Sequence, residues 1–212
     1  MVDERPSRRR SGLVQERSRR TRQRLVRAAL DLWTERGFER GIEDTTVEEI
    51  VQAAGVTNGT FYFHFARKEE ILLEMGWDTA AVANEEARRC LKAGRGLEDS
   101  FVRVMAVVSR HVRAAPPAAV GRAVAEFRRT PPADLPPDRP PGFAHGFEAL
   151  FGRAQEQGEL RGDVVPAEMA AMLVALVMDS ILDWASGHSD LGAALRSRTT
   201  LLIGGLKEPV GA

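Results

Sequence analysis

Asn58, Gly59 and Thr60 stand in a row after Thr57, and Tyr62, His64 and Lys68 follow at close spacing. Asn can bond adenine bidentately, the methyl of Thr can touch that of thymine, and Gly lets a backbone approach closely. Tyr, His and Lys offer hydrogens to phosphate oxygens, contacts that position a protein on a duplex without reading its sequence. The chemistry this grouping suits is DNA recognition from the N-terminal tip of a short helix. Phe61 and Phe65, four residues apart, share one face and would anchor that helix from behind.

The preceding residues supply what must hold such a helix in place. Thr46 can cap an earlier helix, with Glu49 reaching back to the Thr46 amide, while Val47, Ile50, Val51 and Ala54 form its buried side. Gly55 suits the left-handed position after a helix end, Val56 can pack inward, and Thr57 can cap the second helix. Two short helices joined by so tight a turn have the spacing of a helix-turn-helix.

The ordered set extends beyond the pair. Leu25-Val26-Arg27-Ala28-Ala29-Leu30-Asp31-Leu32-Trp33-Thr34-Glu35-Arg36-Gly37-Phe38 precedes it, and Phe65, Lys68, Glu69, Ile71 and Leu72 follow it. Over residues 20 to 75 the chain resembles the DNA-binding domain of the TetR family of bacterial transcriptional regulators; beyond that only its helical outline does. The resemblance implies base-edge contacts from Asn58, Gly59 and Thr60, with Val47 near the groove, and phosphate contacts from Thr46, Tyr62, His64 and Lys68. It also implies a homodimer joined through the last two helices, and a small-molecule effector. Two features depart from the pattern. Glu39 to Asp44 reads as a loop longer than the family's usual connection, its acidic residues bending away from DNA. Arg67 stands where the family commonly has a Ser, Asn or Asp cap.

The 212-residue chain is long enough for a small domain and a larger one with its own core, and its net charge of zero hides an asymmetry. Residues 1–27 hold ten arginines against Asp3, Glu4 and Glu16, a net +7, which leaves −7 for the other 185 residues. Residues 1–17 lack apolar periodicity and read as a disordered basic arm, either a solvated tail or one that reaches the minor groove. Cys90 is the only cysteine, so no intramolecular disulfide can form, and a buried structural thiol is the plainer reading beside that of a redox sensor. No signal-peptide segment appears, and Met169 to Met178 is too short to span a bilayer, so a cytoplasmic protein is expected.

Everything after Lys68 reads as helices separated by breakers, giving an all-α protein. The expected order is a helix-turn-helix domain of three helices over 18–67, then a larger helical effector-binding and dimerisation domain over 68–208. Helices are predicted over 69–92, 97–115, 118–129, 143–157, 166–185 and 190–206. Between Thr130 and Pro141 six prolines enforce a loop. The helix from Pro166 is apolar nearly all round and needs partners on every face. Trp77, Phe101, Met105, Phe127, Phe147, Met172 and Met178 are candidates to line a pocket for a hydrophobic effector, and core packing would explain each of them too. Asp179 and Asp183 would share a face and answer a cationic ligand, a solvated edge or a dimer seam.

These features predict a ligand-responsive dimeric regulator, a repressor released from a palindromic DNA operator. Two other classes fit the residues less well. For an enzyme, His64, His111, His145 and His188 are scattered, without metal-ligand spacing or a phosphate-cradling Gly loop, so neither catalysis, cofactor nor metal is expected. A non-specific DNA-binding or interaction module would keep the helix-turn-helix but select no palindrome.

Overall fold

The computed structural model describes residues 5–130 and 139–207. They form ten α-helices and one 3-10 turn, in two compact units that divide after Ile71.

In the first unit, α1 (Arg5–Glu35) is the frame. Leu25, Ala28, Ala29 and Trp33 recur at helical spacing and are all buried. The chain turns at Gly37 into α2 (Phe38–Asp44), which buries Phe38 and Ile42. Trp33 and Phe38 meet edge to face, with ring centroids 5.9 Å apart. Residues 39–44, expected as a loop, are therefore helical. Ile42 gives the segment an apolar side, and Gly41 lets it lie directly on the Trp33 backbone.

Helix α3 (Val47–Ala54) has the capping box expected of it. Thr46 Oγ1 accepts from the Glu49 amide at 3.2 Å, and a Glu49 carboxylate oxygen accepts from the Thr46 amide at 2.8 Å. Gly55, at φ 63° and ψ 44°, ends it, and the Val56 amide returns to the Val51 carbonyl at 2.9 Å. Thr57 then caps α4 (Asn58–His64), accepting from the Thr60 amide. Phe61 and Phe65 are fully buried beneath α4, their centroids 5.7 Å apart.

Two expectations about this unit change. Residues 5–17, read as a disordered arm, continue α1. Arginine is a good helix former, no proline follows Pro6 in this stretch, and Glu16 pairs with Arg20 one turn on. The part of the arm before Arg5 lies outside the described residues. The domain boundary also falls later than 67, because Lys68 is tied to the first unit and Ile71 is fully buried. A 3-10 turn over Lys68–Glu70 takes up the start of the helix expected from Glu69.

The second unit contains α5 (Ile71–Lys92) from Leu72 on, α6 (Leu97–Val112), α7 (Pro117–Arg129), α8 (Phe143–Glu156), α9 (Pro166–Ala185) and α10 (Leu191–Leu206). Its core joins Phe101, Val104, Met105 and Val108 of α6 to Phe143, Phe147, Leu150 and Phe151 of α8. Leu173, Val177 and Ile181 of α9 and Leu191, Leu195 and Ile203 of α10 complete it. Phe101 packs against Phe151 and Phe147 with centroids 5.0 and 5.6 Å away. Cys90 is buried in this core, and burial raises its thiol above the ordinary range, which disfavours the reactive thiolate. Most of the prolines expected to form a loop, residues 131–138, lie outside the described residues.

Polar side chains hold two of these helix starts. Asn84 of α5 donates to the Pro141 and Gly142 carbonyls at 3.1 Å each and accepts from the Gly146 amide at 2.9 Å, which seats the beginning of α8. Glu159 accepts from the Leu97 amide at 2.9 Å and so caps α6.

A Cβ added at Gly41 would stand 2.5 Å from the Trp33 carbonyl oxygen and 2.7 Å from its Cα, and a backbone cannot swing aside. Alanine favours a helix over glycine by up to about 1 kcal/mol. Overpacking of this kind costs about 1–3 kcal/mol. Gly41→Ala is therefore expected to lower the unfolding midpoint measured by circular dichroism; an unchanged or raised midpoint would show that α2 does not lie this close to α1.

Candidate nucleic-acid interface and ligand cavity

Asn58 and Gly59 are exposed at the tip of α4, and Thr60 is half-buried behind them. A Cβ at Gly59 would meet nothing nearer than Thr57 Oγ1 at 3.9 Å, so the tip is open to an approaching surface. Thr60 Oγ1 lies 2.9 Å from Thr57 Oγ1, so its hydroxyl serves the cap. Tyr62 is 58% exposed. His64 is half-buried, its ring 5.1 Å from that of the exposed Phe63. Val47 is half-buried on the first turn of α3, and Thr46 is exposed while engaged in its capping box.

Cations that no local sequence pattern reveals stand behind this surface. Arg22 donates to the His64 carbonyl at 3.3 Å, and its guanidinium lies 4.6 Å from the centre of the Phe65 ring. Arg24 donates to the Ala54 carbonyl and, at 3.3 Å, to that of Gly55. Arg36 donates to the Asp44 carbonyl and the Thr45 hydroxyl, both at 3.2 Å, and pairs with both oxygens of Glu49. Lys68 donates to the Glu43 and Thr45 carbonyls at 2.9 and 2.7 Å, so two of its three hydrogens are committed within the domain. The last carbonyl of each of α2, α3 and α4, which no helix satisfies internally, meets a positive side chain. No local spacing could have revealed this, because the partners lie 8 to 42 residues apart.

Arg36 dominates the electrostatics of Glu49. Its guanidinium, aided by the Thr46 amide, holds the Glu49 carboxyl at about 2 against an ordinary 4.5, and Glu49 raises Arg36 in turn.

The second unit contains a cavity of about 450 Å³. Trp77 and Met75 of α5, Val120, Val124 and Phe127 of α7, Phe143 of α8, and Val174, Met178 and Ile181 of α9 give it apolar walls. Among the described residues, Asp78, His111 and Arg139 are the charged or ionisable groups on its lining. Of the residues read as pocket candidates, Trp77, Phe127 and Met178 border it. Phe101, Met105 and Phe147 do not: they are spent on the aromatic core, each about 1% exposed. Met172 does not either, because it points outward on α9 and is 51% exposed. Asp179 and Asp183 both pair with Arg198 of α10. Among the described residues no helix is long and apolar enough to cross a membrane.

The architecture is a capped helix-turn-helix unit and a separate helical unit that contains a cavity with apolar walls. Residues 25–75 match the family model described as bacterial regulatory proteins, tetR family. Over residues 25–75 the chain is thus similar to the DNA-binding domain of that family. The regulator TcmR of Streptomyces glaucescens is 48% identical over 62 residues, 29% of this chain and 26% of its own length. The repressor KstR2 of Mycobacterium tuberculosis is 49% identical over 37 residues, 18% of each. The chain thus spans only about a quarter or less of these two curated relatives. Solved structures match more widely. FadR of Thermus thermophilus, a TetR-family repressor in complex with lauroyl-CoA, aligns with a TM-score of 0.69 at 28% identity, over 90% of this chain and 98% of its own. A gamma-butyrolactone receptor aligns with a TM-score of 0.55 at 25% identity, over 92% and 91%.

Because Glu49 ionises more readily when folded, its stabilising effect is complete above pH 4.5 and fades as pH falls through about 2. Arg36 and Glu49 are 33% and 38% exposed, so solvent screening moderates the effect. Glu49→Gln is expected to reduce stability at neutral pH, with the gap from the unaltered protein closing toward pH 2 in urea titrations. A gap that stays constant with pH would mean that this pair does not hold α3.

Proposed function

We propose that the protein is a ligand-responsive, dimeric, cytoplasmic transcriptional repressor that leaves a palindromic operator when a small, largely apolar effector binds. The observation that carries the reading is the tip of α4: exposed Asn58 and Gly59 on a helix whose other side is held by buried Phe61 and Phe65. Asn58, Gly59, Thr60 and Val47 are assigned to base edges. Thr46, Tyr62, His64 and Lys68 are assigned to phosphates, Lys68 through its remaining hydrogen. One such helix gives little specificity alone, whereas two related by a two-fold axis occupy successive half-sites. The apolar groups left outward on the last two helices, Met172 on α9 and Leu201 on α10 at 74% exposure, support a dimer through that face.

The cavity supports an effector that is mainly hydrocarbon, since its polar groups are few. The chain leaves the first unit at Ile71, the first residue of α5, and Met75 to Ala80 of that same helix form part of the cavity wall. A ligand that prefers one setting of α5 would change DNA affinity, with a coupling of about 1–3 kcal/mol typical of such linkage.

Selection of oligonucleotides from a random pool is expected to yield a palindrome, with Tyr62→Phe weakening binding to all sequences alike. Recovery of no palindrome would favour non-specific binding instead. Lauroyl-CoA, the ligand of the FadR structure, is a suitable first probe of the cavity. It is expected to raise the melting temperature and lower DNA affinity, and Val174→Phe, which fills the cavity, is expected to abolish both effects while preserving DNA binding. Equal responses in the two proteins would place the effector elsewhere.

A further inference from the structure

Asn58 is not alone at the tip of α4. Its amide nitrogen donates to a carboxylate oxygen of Glu48, on the first turn of α3, at 3.4 Å. Both side chains are exposed. A carboxylate only accepts hydrogen bonds, so the nitrogen of the Asn58 amide must face Glu48 and its oxygen must face away. Turned over, the amide would bring its oxygen against the carboxylate, acceptor against acceptor.

This settles more than a rotamer. When the Nδ2 hydrogen given to Glu48 is the one anti to Oδ1, the other hydrogen and Oδ1 lie side by side on the opposite edge of the amide. A donor beside an acceptor in that order complements adenine, whose N7 accepts and whose N6 amino group donates in the major groove. An Asn free to turn over offers both orders and pays part of its binding in choosing one. Glu48 also carries a negative charge close to where phosphates would pass, which weakens binding to every sequence.

We propose that Glu48 is a positioning residue for base readout: it orients the Asn58 amide so that adenine is preferred at one operator position, at a cost in overall DNA affinity. The inference rests on the DNA-binding reading above, with Asn58 as a base contact. An alternative role for Glu48 is purely structural, since an acidic residue in the first turn favours a helix. That role affects stability and leaves base preference untouched.

The test is oligonucleotide selection, followed by binding titrations on the selected site and on its single-base variants, using the full chain and three substitutions. Asn58→Ala is expected to relax one position. Glu48→Gln is expected to relax the same position by about twofold, the cost of choosing between two amide orientations, because a glutamine amide can accept or donate and no longer fixes Asn58. Binding to unrelated DNA is expected to rise about threefold in E48Q as the charge is lost. Glu48→Asp keeps the charge at the helix start but is one methylene shorter, so it is expected to keep the stability of α3 and still relax that position. If Asn58→Ala relaxes a position that E48Q and E48D leave sharp, the orienting role is overturned while the DNA-binding reading stands. If E48Q relaxes a different position, Glu48 reads a base of its own and the proposal again fails. If Asn58→Ala changes nothing, the assignment of Asn58 to a base falls, and this inference with it.

Discussion

Helices of seven or eight residues do not persist alone in water, and α2, α3 and α4 are all of that length. Each ends in carbonyls that its own helix cannot satisfy. The first unit meets this constraint with positive side chains: Arg24 and Arg22 of α1 at the ends of α3 and α4, and Arg36, just past α1, together with Lys68 at the end of α2. Each contact joins a full charge to the negative end of a helix, where the dipole makes it most favourable. The apolar interior of Trp33, Ile42, Ile50, Phe61 and Phe65 supplies the bulk of the cohesion. The cations determine how the short helices are set on it.

That arrangement bears directly on recognition. A reading helix is useful only if its tip is held still, since a bidentate contact to a base tolerates little misplacement. Helix α4 is held at its start by Thr57, at its end by Arg22, and from below by two phenylalanines. The Arg36–Glu49–Thr46 cluster does the same for α3, on whose first turn Glu48 lies. Part of the basic charge near the N-terminus is thus internal scaffolding. The cationic content of a helix-turn-helix domain overstates the charge it can offer to phosphates.

The second unit follows a different logic. Its core is a thick layer of Phe, Leu and Val among α6, α8, α9 and α10, while α5, α7, α8 and α9 leave a cavity beside it. The layer takes Phe101, Phe147 and Phe151, while Trp77, Phe127 and Phe143 wall the cavity. Buried Phe101 and Phe147 and cavity-lining Phe127 have the same chemistry and differ only in what packs against them. Asn84 and Glu159 act here as the arginines do in the first unit, each tying a helix start across about sixty residues of chain.

What the sequence determined by itself was local. Thr46 with Glu49, Gly55 and Thr57 mark helix boundaries because capping and left-handed turns need particular residues within a few positions. Apolar periodicity likewise located most of the later helices, and Asn58 and Gly59 showed where a base could be approached. Residues 39–44 were illegible as a helix because so short a segment folds only once Trp33 offers a surface. Residues 5–17 carry charge without an apolar pattern, which in sequence has the signature of disorder. Which aromatic residues line the cavity, where Arg22, Arg24 and Arg36 point, and that Glu48 holds Asn58 were decided only by the tertiary structure. The reason is physical: a cap is a contact between near neighbours, whereas a cavity wall or a carbonyl held by a distant arginine exists only after remote parts of the chain have packed together.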